Sequence, residues 1–519
     1  LDGVTVESGD IIMIEYNEST GYVGTINRGG KIIHIPELSS RLAGGLTVNG
    51  QLGIYGEPSV PLGIAYLSAS PGAGILSTTG QVVVDELYCS GGTLNIKLLN
   101  DAVLKVTGTL DIAGCTYSSE AGDPLEVNNL NIRGAFTGGD LVVSGDVTSS
   151  GGSAEVLTLA SEGKQSILGT GSLTCGNLNA LCGELDVAGK VTVSGALNAP
   201  EAKITGGKNI LLSGGRLASS TYNGDLSAKS GVFSGNTIYG SLFDSGSSVY
   251  SDLVTVEGNL SLSGTPSFSD GSRTKVLRYV SIDCESIGGS CALECSGDVA
   301  VSGSAAVSEL TLCGEAPQEL TGELLAGTLV FDNPKGVDIV GSAAAEERLV
   351  QKADGAVTGN AVKLGDTAVM DGNSFRGNLS VLDYHLNAET LIDGDLTVRA
   401  GGGLSGAPLE ITGALNAPGD VTITGADISA NSLSTKGNLT TDSPLTIGGT
   451  ATCAGTMNTS SYMAVFGDLV STSFTCNGEL RVKGDLTGEL NATTLILDGS
   501  YKQYVYGTVK TSYLEIRNT

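Results

Sequence analysis

The chain has 519 residues with 55 acids against 27 bases, a formal net charge of −28, and no basic cluster, so DNA, RNA and anionic lipid, which are bound by Lys and Arg neutralising phosphate, are set aside as partners. Gly is 77 residues but Pro only 12, which excludes collagen, and 40% hydrophobic residues exclude a disordered linker. No apolar run reaches the roughly 18 residues of a membrane-spanning helix.

Residues 1–45 read as an N-terminal β cap or lead-in. Two continuous apolar strands, Asp10–Tyr16 and Lys31–Ile35, flank a polar segment containing Arg28-Gly29-Gly30, and Pro36 closes the unit. His34 lies between isoleucines there and reads as structural. Residues 46–519 repeat one phrase, apolar-x-apolar-x-Gly, as in Leu104–Gly108, Leu141–Gly145, Leu185–Gly189, Val191–Gly195, Leu409–Gly413 and Leu480–Gly484. Each is a short strand whose Leu, Val or Ile face inward, and the Gly is expected to take a positive φ at a corner. Successive phrases imply coils of about 18 to 25 residues, stacked so that each buries the next. The predicted fold is all-β: a right-handed parallel β-helix, or β-solenoid, of irregular coil length.

Three longer stretches share a sentence: Leu157–Gly169, Leu310–Gly322 and Leu495–Gly507. Each places a Gln eight residues after the first Leu (Gln165, Gln318 and Gln503) and a Gly four further on. These glutamines are expected at equivalent places on the coil, bonding turn backbone. The segment Gly271–Ile282 reads as one longer edge strand. Ser342–Asp354, rich in Ala, Glu and Arg and free of Gly until Gly355, reads as an irregular insertion, a short helix or outward loop with Glu346 and Glu347 in solvent.

The ten cysteines form no CxxC, and only His34 and His385 accompany them, so no zinc pattern is present. The separations Cys291–Cys313 and Cys453–Cys476 approach one coil, which leaves open disulfides between neighbouring rungs; the other reading is small thiols stacked in the core. The acidic surplus leaves open divalent cations beside a simply solvated, self-repelling coat. The chain opens at Leu1 without a basic signal region, and strand-like residues run to within a few positions of Thr519. Each end is therefore expected to be covered in its native setting, by further modules or by another copy in head-to-tail contact.

The Gln phrases, the Asp332–Val337 run and the Gly-Asp-Leu-Thr-Val type rungs together resemble a group of bacterial surface and secreted proteins, adhesin-like or Rhs-associated, with β-helical regions. The rung pattern is also similar to that of bactofilin-like cytoskeletal polymers. The resemblance implies a cell-surface, extracellular location and a spacer or adhesive role. It brings no catalytic residues.

Chemistry is sparse. The densest polar patch, between residues 366 and 399, holds Asp366, Asp371, Arg376, Asp383, His385, Asp393, Asp395 and Arg399. Two suitably spaced carboxyls would make an inverting glycosidase, whereas Asp-Gly-Asp is also a common solvated corner. No phosphate-binding loop, metalloprotease helix or nucleophile elbow occurs. Tyr501, Tyr504 and Tyr506 form either a small binding patch or stacked edge residues. The sequence assigns no catalytic, cofactor-binding or metal residue and no cofactor. It points to a non-catalytic extracellular stalk, adhesin shaft or self-assembling fibre that contacts itself, further modules, or a cell-surface glycan or protein. The alternatives are a polysaccharide-acting enzyme, for which Asp371, Asp383, His385 and Asp393 would gather in one groove, and an intracellular bactofilin-like scaffold.

Overall fold

A computed structural model describes residues 6–290 and 292–517. Strands make up 65% of the chain and form about 25 turns of parallel β-solenoid. Among the described residues the only helical element is a 3-10 turn at Gly207–Asn209. The chain divides into two compact units, Leu1–Ser267 and Phe268–Thr519.

The first unit opens with an antiparallel meander of Ile11–Asn17, Gly21–Arg28 and Lys31–Leu38. The middle strand was not anticipated, because Tyr22, Val23 and Ile26 are spread among Gly, Thr and Asn. Ile11–Asn17 then pairs in parallel with Gln51–Tyr55 and hands the chain to the solenoid. From there each coil offers three inward-facing runs. Val82 and Val84, then Leu87 and Cys89, then Leu94, Ile96 and Leu98 are all buried. The next coil sets Leu104 and Val106, Leu110 and Ile112, and Cys115 and Tyr117 on those same positions. Rings join the stack as well: Phe233 lies on Tyr250 with centroids 5.2 Å apart. The second unit repeats the plan, with Leu310 on Leu293 and Leu329 on Leu310. Coils are shorter than expected at the low end, since Leu226 pairs with Leu242 and Leu480 with Leu495.

The corner glycines act differently from the expectation. In two further copies of the phrase, Val299–Gly303 and Val421–Gly425, the glycine does have positive φ, but Gly108, Gly145, Gly195, Gly413 and Gly484 do not. What excludes a side chain there is the coil beneath. A Cβ on Gly195 would fall under 3.0 Å from Asn177 Oδ1, and one on Gly413 equally close to Asp395 Oδ1. Those oxygens are in place because each accepts a backbone N–H from the residue after the glycine: Ala196 N–H donates to Asn177 (2.8 Å) and Ala414 N–H to Asp395 (2.7 Å). The same bond joins Asn438 to Asp420, Thr456 to Asn438, and Asp485 to Asp468. The Gly-Asp and Gly-Asn corners thus form ladders along the stack.

The Gln phrases are a variant of that corner. Gln165, Gln318 and Gln503 stand where the glycine would be, one coil above Gly145-Asp146, Gly297-Asp298 and Gly484-Asp485. Each Nε2 donates to two carbonyls below: Gln165 to Val143 (2.9 Å) and Gly145 (2.7 Å), Gln318 to Cys295 (3.0 Å) and Gly297 (2.7 Å), Gln503 to Val482 (3.1 Å) and Gly484 (2.7 Å). The expected equivalence holds.

Two local readings are corrected. Ser342–Gln351 is a strand paired with Gln318–Phe331 rather than the irregular insertion, helix or outward loop expected at 342–354, and residues 352–354 follow it outside any strand. Ala343, Ala345 and Leu349 are buried while Glu346, Glu347 and Arg348 face solvent; rung pairing and burial of the alanines override their helical preference. The stretch Gly271–Ile282 is two strands, Arg273–Val276 and Val280–Asp283, rather than one.

Candidate functional site

The site is built on the outer surface of the second unit. In the strand Gly377–Leu386, Val381 and Leu386 are buried, and a register shift after Val381 turns Asp383 and His385 together to solvent. The next coil opposes them with Gly403 and Ser405. His385 Nδ1 lies 3.0 Å from Ser405 Oγ, while Gly403 presents no side chain above Asp383 and leaves the surface hollow. One wall is the segment 366–373, pinned by Arg399, whose guanidinium donates to Leu364 O (2.9 Å) and Asp366 Oδ1 (3.2 Å). The other is the turn holding Asn387 and Ala388. The enclosed cleft measures about 640 Å³.

The cleft does not end at Ser405. Its lining includes Thr422 and Thr424, which also line a second hollow of about 350 Å³. Register carries the pattern onward: Thr422 stands beneath Thr440, Thr440 beneath Asn458 and Asn458 beneath Thr475. Two residues along each strand, Thr424, Asp442, Ser460 and Asn477 make a parallel column. Neighbours within a column are about 4.8 Å apart, and the columns stand about 6.7 Å from one another. Charge is scarce in this trough. Asp366 is neutralised by Arg399. Asp442 accepts the Gly425 N–H (2.9 Å) and the Ser443 hydroxyl, which hold its carboxyl below the usual aspartate value.

The polar patch expected at 366–399 therefore separates. Asp366, Asp383 and His385 line the cleft and Arg399 braces its wall. Asp371 is ion-paired with Arg348, Asp393 with Arg376 at 3.3 Å, and Asp395 is a ladder acceptor; none of the three lines the cleft. The groove that would support the enzyme reading, with Asp371, Asp383, His385 and Asp393 together, does not form: only Asp383 and His385 line the cleft. The Thr, Ser and Asn columns were missed. Their signal was the replacement of charged residues by uncharged polar ones at outward positions of successive phrases, which only the register reveals as one surface.

Elsewhere, Tyr504 and Tyr506 stack at 5.9 Å and are exposed along with Tyr501, with Lys502 Nζ 4.9 Å from the Tyr504 ring, an edge patch rather than core. His34 is exposed on its strand. Eight of the nine described cysteines are buried and all nine are free thiols. Cys453 pairs with Ser471 and Cys476 with Thr459, so those two do not face each other; the Cys291–Cys313 pairing lies outside the described residues. Burial pushes the Cys115 and Cys175 thiols up to about 12. Among the described residues no group of three or more His, Cys, Asp or Glu is placed to hold a metal, and no helix is long and apolar enough to cross a membrane.

Comparison with known proteins found no matching family, curated protein or solved structure.

Proposed function

We propose that the protein is a non-catalytic structural element of the extracellular cell surface: a stalk, an adhesin shaft or a self-assembling fibre. One observation carries the reading. Apart from Asp383, the side chains of the 366–399 patch are engaged in holding the fold together, with Asp395 and the other aspartates at Gly-Asp corners accepting backbone N–H groups, Asp366, Asp371 and Asp393 bound to arginines and His385 beside Ser405. A surface location is supported by the similarity of its rungs and Gln phrases to those of bacterial surface proteins, and by a coat of net charge −28. Negative-stain imaging of the purified chain, with fractionation of producing cells, tests it. Single particles or fibres in the surface and secreted fractions are expected. Filaments confined to the cytoplasm would establish the bactofilin-like scaffold instead. Release of reducing sugar from polysaccharides, abolished by Asp383→Asn, would establish the enzyme.

A further inference from the structure

We propose that the trough of the second unit is a binding site for an uncharged linear polysaccharide, a function that goes beyond the structural reading and does not depend on it. The cleft of about 640 Å³ at Asp383 and His385 and the hollow of about 350 Å³ beside it share Thr422 and Thr424. The two hollows adjoin at those threonines and lie across successive coils, and concave sites with a few placed polar groups are where ligands bind.

The lining decides the chemistry. Thr422, Thr424, Thr440, Asn458, Ser460 and Asn477 are exposed, and among the described residues their hydroxyl and amide groups take no protein partner. Some comparable outward residues elsewhere are spent on the fold: the Thr472 hydroxyl donates to Ala454 O at 2.8 Å, and Lys105 pairs with Glu126 at 2.7 Å. The trough thus offers donors and acceptors, repeated every rung, with no cation among them. Sugar hydroxyls are both donors and acceptors, and a polymer of identical units lying along the stack meets the same pair of columns repeatedly. Each contact is weak and the sum is useful. An anionic polysaccharide is disfavoured by Asp383 and Asp442 in the trough and by the net charge of −28. An ordered-water lattice such as ice would need a flat and uniform face, whereas this one is concave and mixes Thr with Asn, Ser and Asp.

The test is calorimetric titration of the full chain with cellohexaose, laminarihexaose, mannohexaose and maltohexaose, with hexagalacturonate as the anionic control. At least one neutral hexasaccharide is expected to bind, and hexagalacturonate to bind at least about tenfold more weakly. The double variant Thr440→Glu/Asn458→Glu places two carboxylates in the trough at exposed positions. It should lower affinity about tenfold or more with an unchanged circular dichroism spectrum, while Lys105→Ala leaves affinity as it was. Should the double variant unfold, Thr422→Ala/Asn477→Ala, which only removes polar groups, must weaken binding instead. Failure of all four neutral sugars to bind, equal binding of hexagalacturonate, binding indifferent to the trough substitutions, or ice shaping without sugar binding would each overturn the proposal.

Discussion

The three corner glutamines make the same two donations, yet their acceptor oxygens differ. Gln318 Oε1 accepts the Gly314 N–H (2.8 Å) and the Asn333 amide (2.7 Å); among the described residues Gln503 Oε1 accepts only the Gly499 N–H at 3.1 Å, and the buried Gln165 Oε1 has no partner. Replacing a buried Gln by Leu strands the groups it bonded, at roughly 1–3 kcal/mol. Gln318→Leu should therefore lower the melting temperature more than Gln165→Leu, and Gln503→Leu, at a half-buried site, least. An inverted order would show that volume rather than hydrogen bonding sets the cost. Asp244 is the other residue with a defined consequence. It is buried, accepts from Ser248 Oγ (2.7 Å) and Tyr250 OH (2.9 Å), and burial raises its carboxyl above the ordinary value despite those bonds. A raised acid retains its proton in the folded state after the unfolded chain has released it, so its contribution to stability falls as pH rises through that window. Asp244→Asn abolishes this loss. The stability difference between variant and wild type should move in the variant's favour as pH rises above about 4, the ordinary aspartate value, and a constant difference would refute the assignment.

At the scale of the coil, the Gly-Asp corner is a two-residue device. The acidic or amide oxygen reaches up to the next backbone N–H, and the next glycine leaves the space it occupies. Gly413→Ala puts a Cβ against Asp395 Oδ1 and Gly394 O, and overpacking of this kind costs about 1–3 kcal/mol. Gly9→Ala is the useful contrast, because nothing lies within 4 Å of its Cβ position and only its φ of +85° opposes the change. Gly413→Ala should be the more destabilising in a thermal melt, and the double variant with Asp395→Ala should recover part of the loss by removing one of the two clashing groups. The strand Ser342–Gln351 teaches a related lesson. Its alanines are good helix formers in isolation, but two long neighbouring rungs offer complete backbone pairing and a place to bury them.

Over the molecule as a whole, part of the acidity has a structural use, since Asp146, Asp298, Asp395, Asp420, Asp468 and Asp485 serve as corner acceptors. The charge remains and opposes lateral clumping. Self-association, part of the structural proposal, should strengthen with salt, because repulsion is screened over about 10 Å at 0.1 M. Sedimentation across a salt series checks it, and a monomer at every ionic strength would exclude self-association of this chain.

The sequence by itself determined the rung. Inward Leu, Val and Ile at every second position, a small residue at the corner and the thrice-repeated Gln specify a stacked parallel coil, because side-chain alternation and coil repetition are both written in linear spacing. It did not determine what occupies the outer surface. Whether Asp371 joins Asp383 or pairs with Arg348, and whether Thr422, Thr440 and Asn458 form one trough, depends on which residue stands on which one coil later. Coil lengths vary along the stack, so no fixed period predicts those pairings. Backbone hydrogen bonding between neighbouring rungs sets them, and that register exists only in the folded chain.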